Sequence, residues 1–108
     1  MRVTKEDLIL SIARQEKIKI DTVRSVYNAL ERIVFETITS TKKEDTKDNP
    51  VEIRLFEGIN LNSYYEPEKE VKLNYVKDET QNDTILVKGK IKLKTHITRN
   101  LKKKINRN

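Results

Sequence analysis

The chain has 108 residues, a formal net charge of +6, no cysteine, no tryptophan and a single histidine, His96. At this length we expect one domain, residues 1–108, with an aliphatic core so thin that a partner subunit would help to complete it. The lack of cysteine excludes a disulfide framework and thiolate metal sites, and His96 cannot build a histidine site alone, so we expect no metal and no cofactor.

The amino terminus reaches charged residues at once and contains no long apolar run. We therefore expect neither a signal peptide nor a membrane span. The expected location is the cytoplasm of the host cell or the inside of a virus particle.

Residues 1–40 are predicted to form a helical base. Thr4 precedes Asp7 by three residues, which predicts an N-cap and a first helix from about Lys5 to Gln15. Asp21 is the predicted N-cap of a second helix of about five turns, because apolar residues recur there at three- and four-residue steps. We expect a second subunit to cover one face of this helix, the dimer core, formed by Val26, Leu30, Ile33 and Val34.

Residues 51–94 are predicted to form a sheet, after a polar loop at 40–50 that ends in Asn-Pro. Apolar and polar side chains alternate from Val51 to Leu55, Gly58 supplies a turn or bulge, and the alternation resumes at Ile59. Together these features predict a β-hairpin. We expect a mostly exposed ribbon over about 62–84, followed by a return strand over 85–94.

Charge is unevenly distributed along the chain. Residues 62–84 carry three lysines against six acidic residues, whereas residues 85–108 carry nine cations and no acid. Alternation places the lysines of the return strand in one row, and a basic helix is predicted within 95–108, with Thr98 as its N-cap. The candidate phosphate or DNA contacts are Lys88, Lys90, Lys92, Lys94, Arg99, Lys102, Lys103 and Lys104. Alternatively, such lysines only prevent edge pairing and maintain solubility.

Three short stretches match motifs of one known family. Residues 4–9 (TKEDLI) look like an opening TK-x-(D/E)-L-I, residues 51–58 (VEIRLFEG) lie where the family has V-x-I-x-G-F-G, and residues 100–102 (NLK) open a last helix like its A-L-K. With this element order, the chain resembles the HU and integration host factor family. The resemblance implies an α+β fold with two N-terminal helices, a three-stranded antiparallel sheet with a long protruding β-ribbon, and a short C-terminal helix. It also implies an intertwined dimer whose ribbons clamp DNA.

The predicted ribbon departs from that family. The family's ribbon begins with arginines and carries a proline near its tip that wedges between base pairs. Here Asn62, Tyr64 and Glu66 stand at the start, and Pro67 lies at the base rather than the tip. Because a net negative ribbon is repelled by DNA phosphates, the departure favours contacts with protein. The candidate protein-contact residues are Tyr64, Tyr65, Glu66, Glu68, Glu70, Leu73 and Tyr75. The tyrosines could instead stack on bases.

Two functions remain open from the sequence. The first is a non-enzymatic structural or assembly subunit, most concretely a ring- or collar-type component of a phage particle, which makes protein contacts through the acidic ribbon within a larger assembly. The alternative is an architectural DNA-binding protein that contacts phosphates, mostly without sequence preference, through a basic saddle. In both, the chain pairs with itself or with a related subunit.

Catalysis is not expected. The sequence has no nucleophile–base pair, no glycine-rich phosphate loop and no metal-ligand spacing. We therefore predict a protein that binds macromolecules, and neither a small molecule nor a membrane.

Overall fold

A computed structural model describes residues 1–72 and 84–107 of the chain. Two compact units make up the chain, Met1–Thr37 and Ile38–Asn108. The single domain expected over 1–108 stays a prediction. Of the helices within the described ranges, none combines the length and apolar composition that crossing a bilayer requires.

The first helix, α1, spans Lys5–Glu16. It begins there because Thr4 Oγ1 accepts a hydrogen bond from the backbone N–H of Asp7 (3.2 Å), and Asp7 Oδ2 accepts one from the N–H of Thr4 (2.9 Å). This reciprocal cap satisfies two otherwise free donors. The helix ends at Lys17, whose backbone is left-handed with φ 55°. The predicted cap at Thr4 is confirmed, and the helix runs one residue beyond the predicted end.

The second helix, α2, spans Ile20–Thr39 and begins before its predicted cap. The carbonyl of Lys19 accepts the first hydrogen bonds of the helix, from the N–H groups of Thr22 (3.0 Å) and Val23 (3.2 Å). Asp21 therefore lies in the first turn and is not the N-cap, which corrects the sequence prediction. Its carboxylate still favours the helix start, because the positive end of the helix dipole lies there.

Ion pairs join α1 to α2 within the first unit. Arg24 binds Glu6 with two nitrogens, Nη2 to Oε2 at 2.8 Å and Nε to Oε1 at 3.3 Å. Lys5 Nζ lies 2.8 Å from Glu31 Oε1. The apolar content of this unit is thin, as predicted: Ile9 and Val23 are the buried hydrophobic side chains of the described residues.

The described part of the second unit contains two sheets and a short helix. A three-stranded antiparallel sheet has the order β1–β2–β5, and a separate pair joins β3 to β4. The elements are β1 Val51–Phe56, β2 Ile59–Glu66, β3 Lys69–Lys72, β4 Thr84–Val87, β5 Lys90–Ile97 and α3 Arg99–Ile105. The predicted combination of α-helices with a three-stranded antiparallel sheet is confirmed.

The predicted ribbon boundaries need correction. Strand β2 stays paired with β5 as far as Glu66, so the residues from 62 to 66 belong to the three-stranded sheet. The predicted return strand at 85–94 is two strands, β4 and β5, interrupted by Lys88 and Gly89. The Tyr65 ring lies directly on Gly89, where any side chain would collide with the Tyr65 hydroxyl. The predicted tip at 77–84 lies almost wholly outside the described residues.

The turn between β1 and β2 holds the terminal helix. Gly58 has φ +89°, and its carbonyl accepts a hydrogen bond from the N–H of Thr98 at 2.9 Å. Thr98 Oγ1 in turn accepts from the N–H of Leu101 at 3.3 Å, which confirms Thr98 as the N-cap of α3. The helix is shorter than the predicted 95–108 segment, because β5 continues to Ile97.

The loop at 40–50 is tied to the centre of the sheet. The carbonyl of Asp45 accepts a hydrogen bond from the N–H of Tyr65 at 2.7 Å. Ser63, on β2, is fully buried and lies 2.6 Å from the Thr41 hydroxyl. Because Thr41 donates its one hydroxyl proton to the carbonyl of Ile38, Ser63 is the donor in this pair. The predicted polar loop thus also anchors β2.

Candidate functional site

The three-stranded sheet has one face that is almost entirely polar. Side chains alternate along each strand, and the antiparallel register pairs Asn62 with Glu52 on one side and with Lys94 on the other. We call this surface the polar face. Its members are Glu52, Arg54, Asn60, Asn62, Tyr64, Glu66, Lys90, Lys92, Lys94 and His96.

Three of the four lysines predicted to form a row do share the polar face. Lys90, Lys92 and Lys94 occupy alternate positions of β5, opposite Glu66, Tyr64 and Asn62 of β2. Lys88 does not belong to the row, because it lies in the link before β5. The alternation of lysines continued through that link, and Gly89 was the residue that could have indicated the interruption, because glycine weakens a strand.

The lysines of the polar face differ in their electrostatic partners. Lys92 Nζ lies 2.6 Å from Glu66 Oε2, and Lys69 Nζ of β3 lies 3.2 Å from Glu66 Oε1. Hydrogen bonds from Lys92 and Lys69 hold the pKa of the Glu66 carboxyl below its ordinary value. Within the parts of the chain that the structure describes, Lys90 and Lys94 have no ion pair. These two cations are therefore available to an external anion.

A groove crosses the polar face near β1. Its lining includes Arg54, Asn60, Asn62 and His96. The Arg54 side chain is 79% exposed while its Nε donates to Glu52 Oε1 at 3.1 Å. Asn62 Oδ1 is buried and has no hydrogen-bond partner among the described residues. An unpaired buried oxygen is destabilising, and because this one has almost no accessible surface it does not by itself form a binding position in the groove.

The remaining basic candidates lie on α3. Arg99, Lys102, Lys103 and Lys104 are all exposed. The three lysines occupy the last turn of the helix. Cations there are also favoured by the negative end of the helix dipole, which is a purely structural reason for their position.

The protein-contact candidates are divided among several elements. Tyr64, Tyr65 and Glu66 are part of the three-stranded sheet, where Tyr64 and Tyr65 point to opposite faces. Glu68, in the link before β3, and Glu70, on β3, are exposed. Leu73 and Tyr75 lie outside the described residues. Of the described members of this set, only Glu68 and Glu70 therefore lie beyond the three-stranded sheet, in the predicted ribbon.

The apolar face predicted as a dimer core is largely uncovered. Val26 is 67% exposed, Ile33 60% and Leu30 45%, whereas Val34 is half-buried. The sequence analysis missed Phe35, which is 66% exposed. The signal that could have indicated Phe35 is its position directly after Val34, next to the predicted apolar face.

Sequence reasoning also missed Arg54, Asn60 and Asn62 as members of the polar face. Their alternation with apolar residues in β1 and β2 was visible, but only the register shows that they join the lysines. No cluster of three metal-ligating side chains occurs within 1–72 and 84–107.

Comparisons with known proteins agree with this architecture at the level of structure. No family model and no curated protein matches the sequence. Among solved structures, the chain is similar to an Anabaena HU protein in a cocrystal with DNA, with a TM-score of 0.61 and 12% sequence identity. The match covers 95% of this chain and 97% of the Anabaena chain. The chain therefore has the HU and integration host factor fold, in a widely divergent sequence.

Proposed function

We propose that this protein is a non-enzymatic, HU-like architectural DNA-binding protein that contacts DNA phosphates through the polar face of its three-stranded sheet. The observation that carries the proposal is the β2–β5 register, which places Lys90 and Lys94 on one exposed face. Neither lysine has an ion pair in the described part of the chain, so both can replace the counterions of a phosphate backbone.

The chemistry of the surface suits the DNA backbone better than base edges. Alternate residues of a strand are about 6.6 Å apart, so the row presents a ladder of cations along β5. Contacts of this kind position a protein on DNA without reading its sequence. We accordingly propose binding with little sequence preference and a strong dependence on salt. The Anabaena HU protein, whose fold this chain shares, was crystallised with DNA.

A role as a ring or collar component of a phage particle has no support from the comparison. Its basis was an acidic ribbon beginning at residue 62, but Tyr64 and Tyr65 are sheet residues. Glu66 belongs to the polar face and is paired with two lysines. Glu68 and Glu70 are exposed and have no ion pair among the described residues. We therefore prefer the DNA-binding function.

The test removes two cations from the polar face and measures the loss of DNA affinity. The same charge change, made outside the polar face, serves as the control. We expect the double variant Lys90→Gln/Lys94→Gln to bind a short DNA duplex more weakly. Its plot of log affinity against log salt should flatten by about 0.9 for each phosphate that the variant no longer neutralises. The control is Lys17→Gln/Lys19→Gln, which has the same net charge but alters the link between the two helices. Fluorescence anisotropy over a series of salt concentrations measures both quantities.

An equal reduction of affinity in the two double variants would mean that only net charge matters, and would contradict the polar face as the binding surface. Absence of any salt-dependent binding by the natural chain would contradict the function itself.

A further inference from the structure

We propose that Glu66 acts as an internal competitor for DNA phosphate, whose carboxylate holds Lys92 out of the phosphate-binding row. The inference deepens the proposed function and rests on it. It assigns Glu66 the role of setting how many phosphates the polar face neutralises.

The geometry around Glu66 separates it from an ordinary surface ion pair. Each carboxylate oxygen has its own ammonium group: Oε2 binds Lys92 at 2.6 Å and Oε1 binds Lys69 at 3.2 Å. The Glu66 side chain is only 24% exposed, less than either lysine. Partial burial screens the pair from solvent ions, so its attraction persists at ionic strengths that weaken fully exposed pairs.

Lys92 stands in the middle of the row, between Lys90 and Lys94. A lysine releases a DNA counterion only if its charge is free to neutralise a phosphate. Lys92 must therefore either leave Glu66 or bring a phosphate next to a carboxylate, and like charges in contact repel each other. In the natural chain, phosphate binding accordingly depends on the two flanking lysines.

A purely structural role for Glu66 predicts a different outcome. Its carboxylate links Lys92 of β5 to Lys69 of β3, so it could serve only to hold the two sheets together. Removing its charge would then weaken the second unit without improving DNA binding. Glutamine keeps the size and the hydrogen-bonding oxygen of glutamate while removing the charge, so Glu66→Gln separates the two roles.

The experiment compares Glu66→Gln with Glu68→Gln, using the full chain and one duplex. Glu68 is exposed and has no ion pair within the described residues, so its variant removes the same charge only two positions away. We expect Glu66→Gln to bind roughly three- to tenfold more tightly and its salt dependence to steepen by about 0.9, the value for one further neutralised phosphate. Glu68→Gln should bind less than about twofold more tightly, with an unchanged slope, because the Glu68 carboxylate binds none of the lysines of the row in the described residues, so its removal frees no cation for a phosphate.

Lys92→Gln, made both in the natural chain and in Glu66→Gln, assigns the increase in affinity to one lysine. We expect it to change affinity less than about twofold in the natural chain, and to abolish the added affinity in Glu66→Gln. Lys92→Gln in the natural chain tests the inference even if Glu66→Gln does not fold.

Two results would overturn the inference alone. Either Glu66→Gln and Glu68→Gln behave alike, or Lys92→Gln weakens binding as much in the natural chain as in Glu66→Gln. In both cases the weaker binding of Lys90→Gln/Lys94→Gln would leave the proposed function intact. If that double variant binds as well as its control, the proposed function fails and the inference fails with it.

Discussion

At the scale of single residues, Gly58 controls how the hairpin meets the terminal helix. Its φ of +89° lies in a region that side chains rarely adopt, and a Cβ there would stand 2.6 Å from Leu101 Cβ and 3.0 Å from Thr98 Oγ1. Neither neighbour can easily withdraw, because Thr98 is hydrogen-bonded to the Gly58 carbonyl and caps α3. The turn and the helix start therefore form one unit.

We predict that Gly58→Ala destabilises the protein by more than about 1 kcal/mol, because it combines backbone strain with a steric clash. Glu57→Ala, in the same turn but exposed, should change the free energy of unfolding by no more than about 0.5 kcal/mol. Urea denaturation of both variants measures the difference. Similar stability of the two variants would contradict this prediction, since it would mean that Thr98 and Leu101 shift to make room for the methyl group without destabilising the protein.

Residue-scale features were predictable from sequence where their partners are near in the chain. The caps at Thr4 and Thr98 depend on residues three positions away, so their spacing was sufficient. The Glu66 ion pairs were not predictable, because Lys92 meets Glu66 only through the β2–β5 register. Single-sequence patterns contain no information on that register.

At the scale of elements, the pairing of α1 with α2 depends on charged groups as well as apolar ones. Hydrogen bonding by Arg24 lowers the pKa of Glu6, and hydrogen bonds from Thr4 lower the pKa of Asp7. A carboxyl whose pKa is lower in the folded state contributes stability above its unfolded pKa, and this contribution is lost as the pH falls through the folded pKa. The first unit should therefore lose stability in acid.

We predict that Glu6→Gln lowers the free energy of unfolding at neutral pH and that this deficit disappears well below pH 4, where Glu6 of the natural chain is protonated as well. Denaturation curves at several pH values measure the deficit. The control is Glu44→Gln in the 40–50 loop, which lacks an ion pair in the described ranges and should show a smaller, less pH-dependent effect. A deficit that stays constant into acid would contradict the assignment to the Arg24 pair.

The strand boundaries show where element-scale prediction fails. Lysines at 88, 90, 92 and 94 alternate with Gly89, Ile91 and Leu93, so the sequence predicted one strand over 85–94. At the break, the ring of Tyr65, 24 positions earlier, occupies the space into which a side chain at position 89 would project. Propensity and alternation are local, whereas this packing is not.

At the scale of the whole molecule, the exposed apolar surface of α2 needs an explanation. Val26, Leu30 and Ile33 recur on one side of the helix and are all exposed. Only two hydrophobic side chains of the described residues, Ile9 and Val23, are buried. So little buried apolar surface gives weak stabilisation to a chain of this length. The amphipathic pattern predicted this surface correctly, but no pattern in one chain can identify what covers it.

We predict that the stripe on α2 is covered by a second copy of the chain or a related subunit, so that folding and association are coupled. Thermal unfolding should then occur at lower temperature on dilution, and sedimentation should show a dimer at micromolar concentration. Val26→Lys/Ile33→Lys should shift the protein to monomer or unfold it, because buried unpaired charges are costly. The control Asn28→Lys adds a single charge to an exposed position on another side of the same helix and should leave the association unchanged. A natural chain that remains a folded monomer, with a melting temperature independent of concentration, would contradict the prediction.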